Sequence, residues 1–361
     1  MKTRYSLNLG RPFGIKLSIH WTFLFLIAWI VAVSLMRDLG LSQILMHIVF
    51  VLALFACVVL HELGHSLTAI RFGGEVHSIT LLPIGGMANI TKMPEKPKEE
   101  FLVSAAGPAV NIVIAILLWV YLSVFRTIDV EAMEFEAITG QNFAFMLMAA
   151  NLFIVAFNLI PAFPMDGGRL FRAALSIRMN RVQATRVAKD IGQVFAILFI
   201  LAGLFINPFL VIIGAFILLG AKGEYEMIKY QDALKNHTVK DVLKTDYLVL
   251  APSDSLGKAA DKLVHVSDNG FIVKDGEEYK GILSKNAIIS GLNAHGKEGR
   301  VGDVMDSGIE PVDAKKSLFE VFVEMKKKRH GLLPVFKDKE LEGVLDMDNL
   351  EEFILIRNAL R

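Results

Sequence analysis

The sequence predicts a multispan α-helical membrane domain, with about six transmembrane helices and a small β-sheet at the membrane face. A soluble α/β domain made of a tandem repeat follows it. Three observations predict this. Of 361 residues, 53% are hydrophobic and 21% charged, and the mean hydropathy is +0.49, more apolar than a soluble globule of this size requires. The apolar excess fills residues 17–221, whereas the last third alternates charged and apolar residues as soluble domains do. Finally, Val239, Asp241, Ser255, Leu256, Val273, Gly281 and Leu283 recur 62 residues later as Val301, Asp303, Ser317, Leu318, Val335, Gly343 and Leu345. A constant offset over seven pairs marks a tandem repeat. The resulting divisions are a membrane domain over 1–222, a linker over 223–235, and repeat units over 236–292 and 299–358.

The net charge of +1 argues against a nucleic-acid partner. Cys57 is the only cysteine and sits in an apolar run, so an intramolecular disulfide and a cysteine zinc site are both excluded.

The elements follow in order. A basic amino terminus (Lys2, Arg4, Arg11, Lys16) precedes a first span from about Leu17 to Met36. That run is too long for a signal peptide and no small-x-small cleavage site follows it. His20 at its entry reads as an interfacial histidine. After an Arg37-Asp38 turn, the second span runs from about Gln43 to Ile70, and Ile44–Leu60 within it carries no charged side chain. From Gly73 to Gly86 the chain alternates β-branched and polar residues between glycines, which predicts short strands and tight turns. Strands cannot expose open edges to lipid, so this sheet is expected at the membrane surface or beside the protein. The third span, Phe101 to Phe125, opens on Ala105-Ala106-Gly107-Pro108, small residues that allow close helix approach. An acidic loop (Asp129, Glu131, Glu134, Glu136) leads to the fourth span, Phe143 to Ile160, which runs into Pro161-Ala162-Phe163-Pro164-Met165-Asp166-Gly167-Gly168. A basic segment from Arg169 to Lys189 precedes two apolar runs, Ile191–Ile206 and Pro208–Leu219, divided by Asn207-Pro208.

With six spans, the basic amino terminus, the Arg71 region and the Arg169–Lys189 segment share one side. By the positive-inside rule that side is cytoplasmic, which places both termini and the repeat domain in the cytoplasm of a multi-pass cell-membrane protein. His61 lies ten residues before Arg71, about 15 Å of helix, so it is submerged but nearer the cytoplasmic face. The fourth span delivers Asp166 to the same side.

The chemistry is concentrated in His61-Glu62-Leu63-Gly64-His65. Two histidines four residues apart leave one face of a helix a turn apart. That spacing suits two nitrogen ligands of one tetrahedral zinc, with Glu62 beside it as general acid/base. Buried in lipid without a metal, these polar groups would carry a desolvation cost of several kcal/mol. A third ligand is required, and Asp166 in its proline- and glycine-bracketed turn is the candidate. On the residues alone it reads equally well as a turn residue bonding its own backbone.

His61-Glu62-Leu63-Gly64-His65 together with Asn158-Leu159-Ile160-Pro161-Ala162-Phe163-Pro164-Met165-Asp166-Gly167-Gly168 resembles the two signature motifs of the site-2 protease family of intramembrane zinc metalloproteases. The resemblance implies one Zn2+ per chain on His61, His65 and Asp166, Glu62 as the catalytic acid/base, and Asn158 as a residue that holds substrate or stabilises the oxyanion. It implies transmembrane protein substrates reached from the surrounding membrane lipid and cut within or near their spans. The repeat over about Asn236 to Ile356 resembles a pair of CBS domains, which implies a regulatory module, an adenine nucleotide between the repeats, and a homodimer. Where that family has Ser/Thr and then Asp after the hairpin glycine, this chain has Ser284 and Ala287 in one repeat and Asp346 and Asn349 in the other. The alternative from another class is a CBS-regulated membrane transporter or channel, in which the same polar residues would line an ion path.

Overall fold

A computed structural model describes residues 6–83, 85–125, 138–264, 269–338 and 340–360. They form two compact units, Met1–Tyr225 and Glu226–Arg361. The acidic loop residues Asp129, Glu131, Glu134 and Glu136 lie outside the described residues.

The first unit runs β1 (Ser6–Gly10), β2 (Lys16–His20), α1 (Phe23–Met36), α2 (Leu41–Arg71), β3 (Glu75–Leu82), β4 (Gly85–Lys92), α3 (Pro97–Phe125), α4 (Phe143–Asn158), α5 (Asp166–Leu175), α6 (Arg181–Phe205) and the start of α7 (Phe209–Leu234), whose residues from Glu226 onward belong to the second unit. Among the described residues, α2, α3 and α6, of 31, 29 and 25 residues, are long and apolar enough to cross a membrane, and α1 and α4 are shorter apolar helices.

The first apolar helix begins later than the hydropathy suggests. Lys16-Leu17-Ser18-Ile19-His20 alternates with period two and forms β2, which pairs parallel to β3 from Lys16↔Ser78 to Ile19↔Leu81. The expected strands are therefore one half of a four-stranded sheet, ordered β1-β2-β3-β4, with β3 inside it and β4 at one edge. Non-local pairing with β3 decided this, and a local apolar run cannot reveal it. Ile15 and Ile79 from the sheet side pack against Leu63 of α2, with Leu17 and Val59 beside them. The sheet is thus seated on the helical turn that carries His61 and His65.

In the second unit, β5 (Val249–Leu250), α8 (Leu256–Val264), β6 (Gly270–Asp275), β7 (Glu278–Ser284) and α9 (Lys285–His295) form the first repeat. After α10 (Val301–Val304), the second repeat comprises β8 (Val312–Asp313), α11 (Leu318–Lys328), β9 (Leu332–Lys337), β10 (Glu340–Asp346) and α12 (Met347–Ala359). Each repeat has a three-stranded sheet of the same design, a parallel pair followed by an antiparallel hairpin. Ser284 and Asp346 occupy equivalent places. Ser284 caps α9 by accepting from Ala287 N, and Asp346 caps α12 by accepting from Asp348 N. A carboxylate can replace the hydroxyl there because capping needs only an acceptor. The stretch expected as a linker, 223–235, is mostly helical: α7 continues to Leu234, and Ala233 and Leu234 are buried in the core of the second unit with Val239 and Phe322.

Candidate metal centre

α2 and α3 approach closely where their side chains are smallest. A Cβ on Gly64 would stand 2.9 Å from Ala106 O, and one on Gly107 would stand 2.6 Å from His61 Nε2 and closer still to His65 Nε2. Gly107 therefore leaves open the space that the two imidazoles face. His61 and His65 are both buried.

The third group arrives from α4 and the turn after it. Met165 is extended, and Asp166 begins α5. A Cβ on Gly167 would stand 2.5 Å from Leu159 O, and one on Gly168 would stand 2.6 Å from the Ala162 carbonyl carbon. Only glycine lets the start of α5 fold back against the end of α4 this tightly, and that fold brings Asp166 to the histidines. Asp166 Oδ2 lies 3.2 Å from His61 Nε2 and 3.1 Å from His65 Nε2, and the two Nε2 atoms are 3.1 Å apart.

The proton positions follow from the surrounding hydrogen bonds. Leu147 O can only accept, so Asn151 donates its Nδ2 to it at 2.8 Å and turns Oδ1 to Asn111. Asn111 therefore donates Nδ2 to Asn151 at 2.7 Å and presents Oδ1 to His61 Nδ1 at 2.5 Å. His61 must then carry its proton on Nδ1. His65 Nδ1 likewise donates to Val103 O at 2.7 Å. In neutral imidazoles both Nε2 atoms are left as lone pairs. Two nitrogen lone pairs and a carboxylate oxygen thus converge in a buried space.

Such a convergence repels itself unless a cation sits among the three atoms. The donor set is that of zinc, and ligand bonds of about 2.0–2.1 Å at tetrahedral angles put donor atoms about 3.3 Å apart. The observed triangle is within about 0.2 Å of that spacing, so the residues present fit the ion. Among the described residues, His61, His65 and Asp166 form the one group of this kind, with ligand atoms all within 4.8 Å of one another.

The other predicted residues fall out as follows. Glu62 neighbours His61 on α2, and a Cβ on Gly86 would stand 2.5 Å from Glu62 Cγ and 3.2 Å from Oε1. The side chain therefore lies between α2 and the first residues of β4, an edge strand. Asn158 is the last residue of α4 and makes none of the hydrogen bonds described for the cluster. His20 stays at the entry of α1, bonded through Nδ1 to Thr22 Oγ1 at 2.8 Å, and does not join the group. Asn111 and Asn151 were not anticipated. Their signal was present, since each is an amide within an apolar helix, where polar side chains tend to serve function.

The sequence model of Peptidase family M50 matches residues 49–138 and 123–203, and that of the CBS domain matches 239–294 and 301–356. Zinc metalloprotease MJ0392 of Methanocaldococcus jannaschii is 33% identical over 318 residues, covering 87% of each chain. Stage IV sporulation protein FB of Bacillus subtilis is 30% identical over 181 residues, covering 50% of this chain and 56% of its own. Among solved structures, a site-2 protease from Methanocaldococcus jannaschii is 35% identical and covers 61% of this chain and 95% of that one, with a TM-score of 0.44. Apolar helices and the match to Peptidase family M50 make the chain an integral membrane protein. With a relative matched over nearly its whole length and a donor triangle that suits zinc, the chain belongs to peptidase family M50, as a site-2-type zinc metalloprotease with a regulatory CBS pair.

Proposed function

We propose that His61, His65 and Asp166 are the zinc ligands of this protease, that Glu62 is its acid/base, and that its substrates are transmembrane proteins cut within or near their spans. The convergence of His61 Nε2, His65 Nε2 and Asp166 Oδ2 within 3.2 Å carries the assignment. When bound, zinc polarises the scissile carbonyl and brings the pKa of water near 7. Glu62 accepts the proton of the attacking water and returns it to the leaving amine. The Asn158 amide offers two donors and is assigned to substrate holding or to the oxyanion. Asn111, Asn151 and the Val103 carbonyl keep the imidazoles in the ligating tautomer.

A substrate helix must unwind before its peptide groups can be attacked, which frees backbone donors and acceptors. Edge strand β4, whose Gly86 lies against Glu62, is suited to pair with the unwound segment by strand addition. Proline at Ile79 or Leu81 would not isolate this step, because both residues lie on the interior strand β3 and are buried in the sheet core. The six-span topology with both termini and the CBS pair in the cytoplasm belongs to the same proposal, supported by the basic segments around Arg71 and Arg169–Lys189. For the CBS pair we propose adenine nucleotide as the regulatory ligand and homodimer formation as its assembly, both on the family resemblance of residues 239–294 and 301–356.

The test is Glu62→Gln in the full chain in detergent, with zinc content and cleavage of a model membrane-helix substrate measured together. Full zinc with cleavage lost is the expected result. Cleavage at the wild-type rate would remove Glu62 from the mechanism, and a zinc content that survives Asp166→Ala would remove Asp166 from the ligands.

A further inference from the structure

A buried charge cluster behind Asp166 takes no part in the chemistry above. Arg172 lies almost two turns along α5 from Asp166, and its side chain is 2% exposed. Its Nε donates to Glu100 Oε1 at 2.8 Å, its Nη2 donates to the same oxygen, and its Nη1 donates to Glu224 Oε1 at 2.7 Å. Glu100 opens α3 and Glu224 belongs to α7, so one guanidinium fork joins three helices. Arg172 Cζ also stands 5.0 Å from the centre of the Phe163 ring, just ahead of Asp166 in the chain.

α7 closes on the same turn. A Cβ on Gly220 would stand 2.7 Å from Pro164 Cδ. Ile217 packs with Ala162 and Met165, and Ala221 packs with Phe163. Ile217, Gly220 and Glu224 recur at helical spacing, so one face of α7 covers the turn and ends in the carboxylate that holds Arg172. A planar fork held by two carboxylates admits little change in direction.

We propose that Arg172, Glu100 and Glu224 are positioning residues. The two carboxylates hold the Arg172 fork, and through it the 163–166 turn, in the setting that brings Asp166 Oδ2 onto the imidazoles. The inference rests on the reading of Asp166 as a zinc ligand.

Glu224 is the residue to vary. Its side chain is 26% exposed, and its loss leaves Arg172 paired with Glu100, whereas loss of Arg172 would leave the buried Glu100 with Arg181, 3.6 Å away, in place of its closest partner. The full chain, loaded with zinc or with cobalt(II), is challenged with a chelator in detergent. Glu224→Ala is expected to release metal about tenfold faster, the lower end of what outer-shell partners are worth. Its cobalt visible bands should shift while its melting temperature stays close to wild type. Glu224→Gln keeps an acceptor for Arg172 Nη1 and should release metal at close to the wild-type rate. An unchanged release rate and cobalt spectrum in Glu224→Ala overturn the inference, as does faster release that merely follows a lowered melting temperature in both variants. Wild-type metal retention by Asp166→Ala overturns the ligand assignment itself, and the inference with it.

Discussion

Replacing Asn111 by alanine separates the orientation of a ligand from the ligand itself. The Asn111 side chain is fully buried, 2.5 Å from His61 Nδ1 and 2.7 Å from Asn151 Oδ1. Its loss leaves two buried polar groups without partners, each costing about 1–3 kcal/mol. The two losses act on different quantities. The stranded Asn151 oxygen is the same with and without metal, so it lowers stability by about 1–3 kcal/mol. The stranded His61 Nδ1–H bears on the metal. Without an acceptor there, the imidazole gains by moving its proton to Nε2, and that tautomer cannot ligate. Outer-shell losses of this kind cost about 10–100-fold in metal affinity, or about 1.4–2.8 kcal/mol, which falls within the range for one stranded group. A zinc titration against a competing chelator in detergent, run with a thermal melt, reads both quantities. Asn111→Ala is expected to bind zinc about 10–100-fold more weakly and to melt lower. A folded Asn111→Ala protein with wild-type zinc affinity would refute the reasoning, because the orientation of His61 would then be set elsewhere.

Two further outcomes follow. Gly107→Ala places a methyl group against both Nε2 atoms, so the variant is expected to hold no stoichiometric zinc by metal analysis while its circular dichroism still reports helix. In the CBS unit, Asn269 Nδ2 donates to Asp346 Oδ1 at 2.7 Å, and Asp346 is 3% exposed. Asn269→Ala removes a charge-assisted bond worth about 1.5–3 kcal/mol, so the thermal transition of that unit should fall by several degrees without altering zinc content.

His61, Glu62 and His65 were legible in the sequence as a candidate zinc group because such a group demands few residue types at fixed spacings; Asp166 has no fixed spacing to them, read equally well as a turn residue, and was reached through the family resemblance. The repeat was legible because an offset of 62 residues is a property of the string alone. Strand β2 was hidden inside an apparent span, since Leu17 and Ile19 supply hydropathy whichever structure they adopt. Pairing with β3, more than fifty residues away, chose the strand.

By itself, then, the sequence determined the candidate ligand pair His61 and His65, the apolar helices and the duplicated module, all of which depend on composition or local period. Tertiary structure alone decided which lone pairs meet, which tautomer each histidine holds, and that Arg172 joins α3, α5 and α7. The reason is physical. The direction of a hydrogen bond is settled by its whole chain of partners, here running from Leu147 O through Asn151 and Asn111 to His61, and those residues are neighbours only after the helices pack.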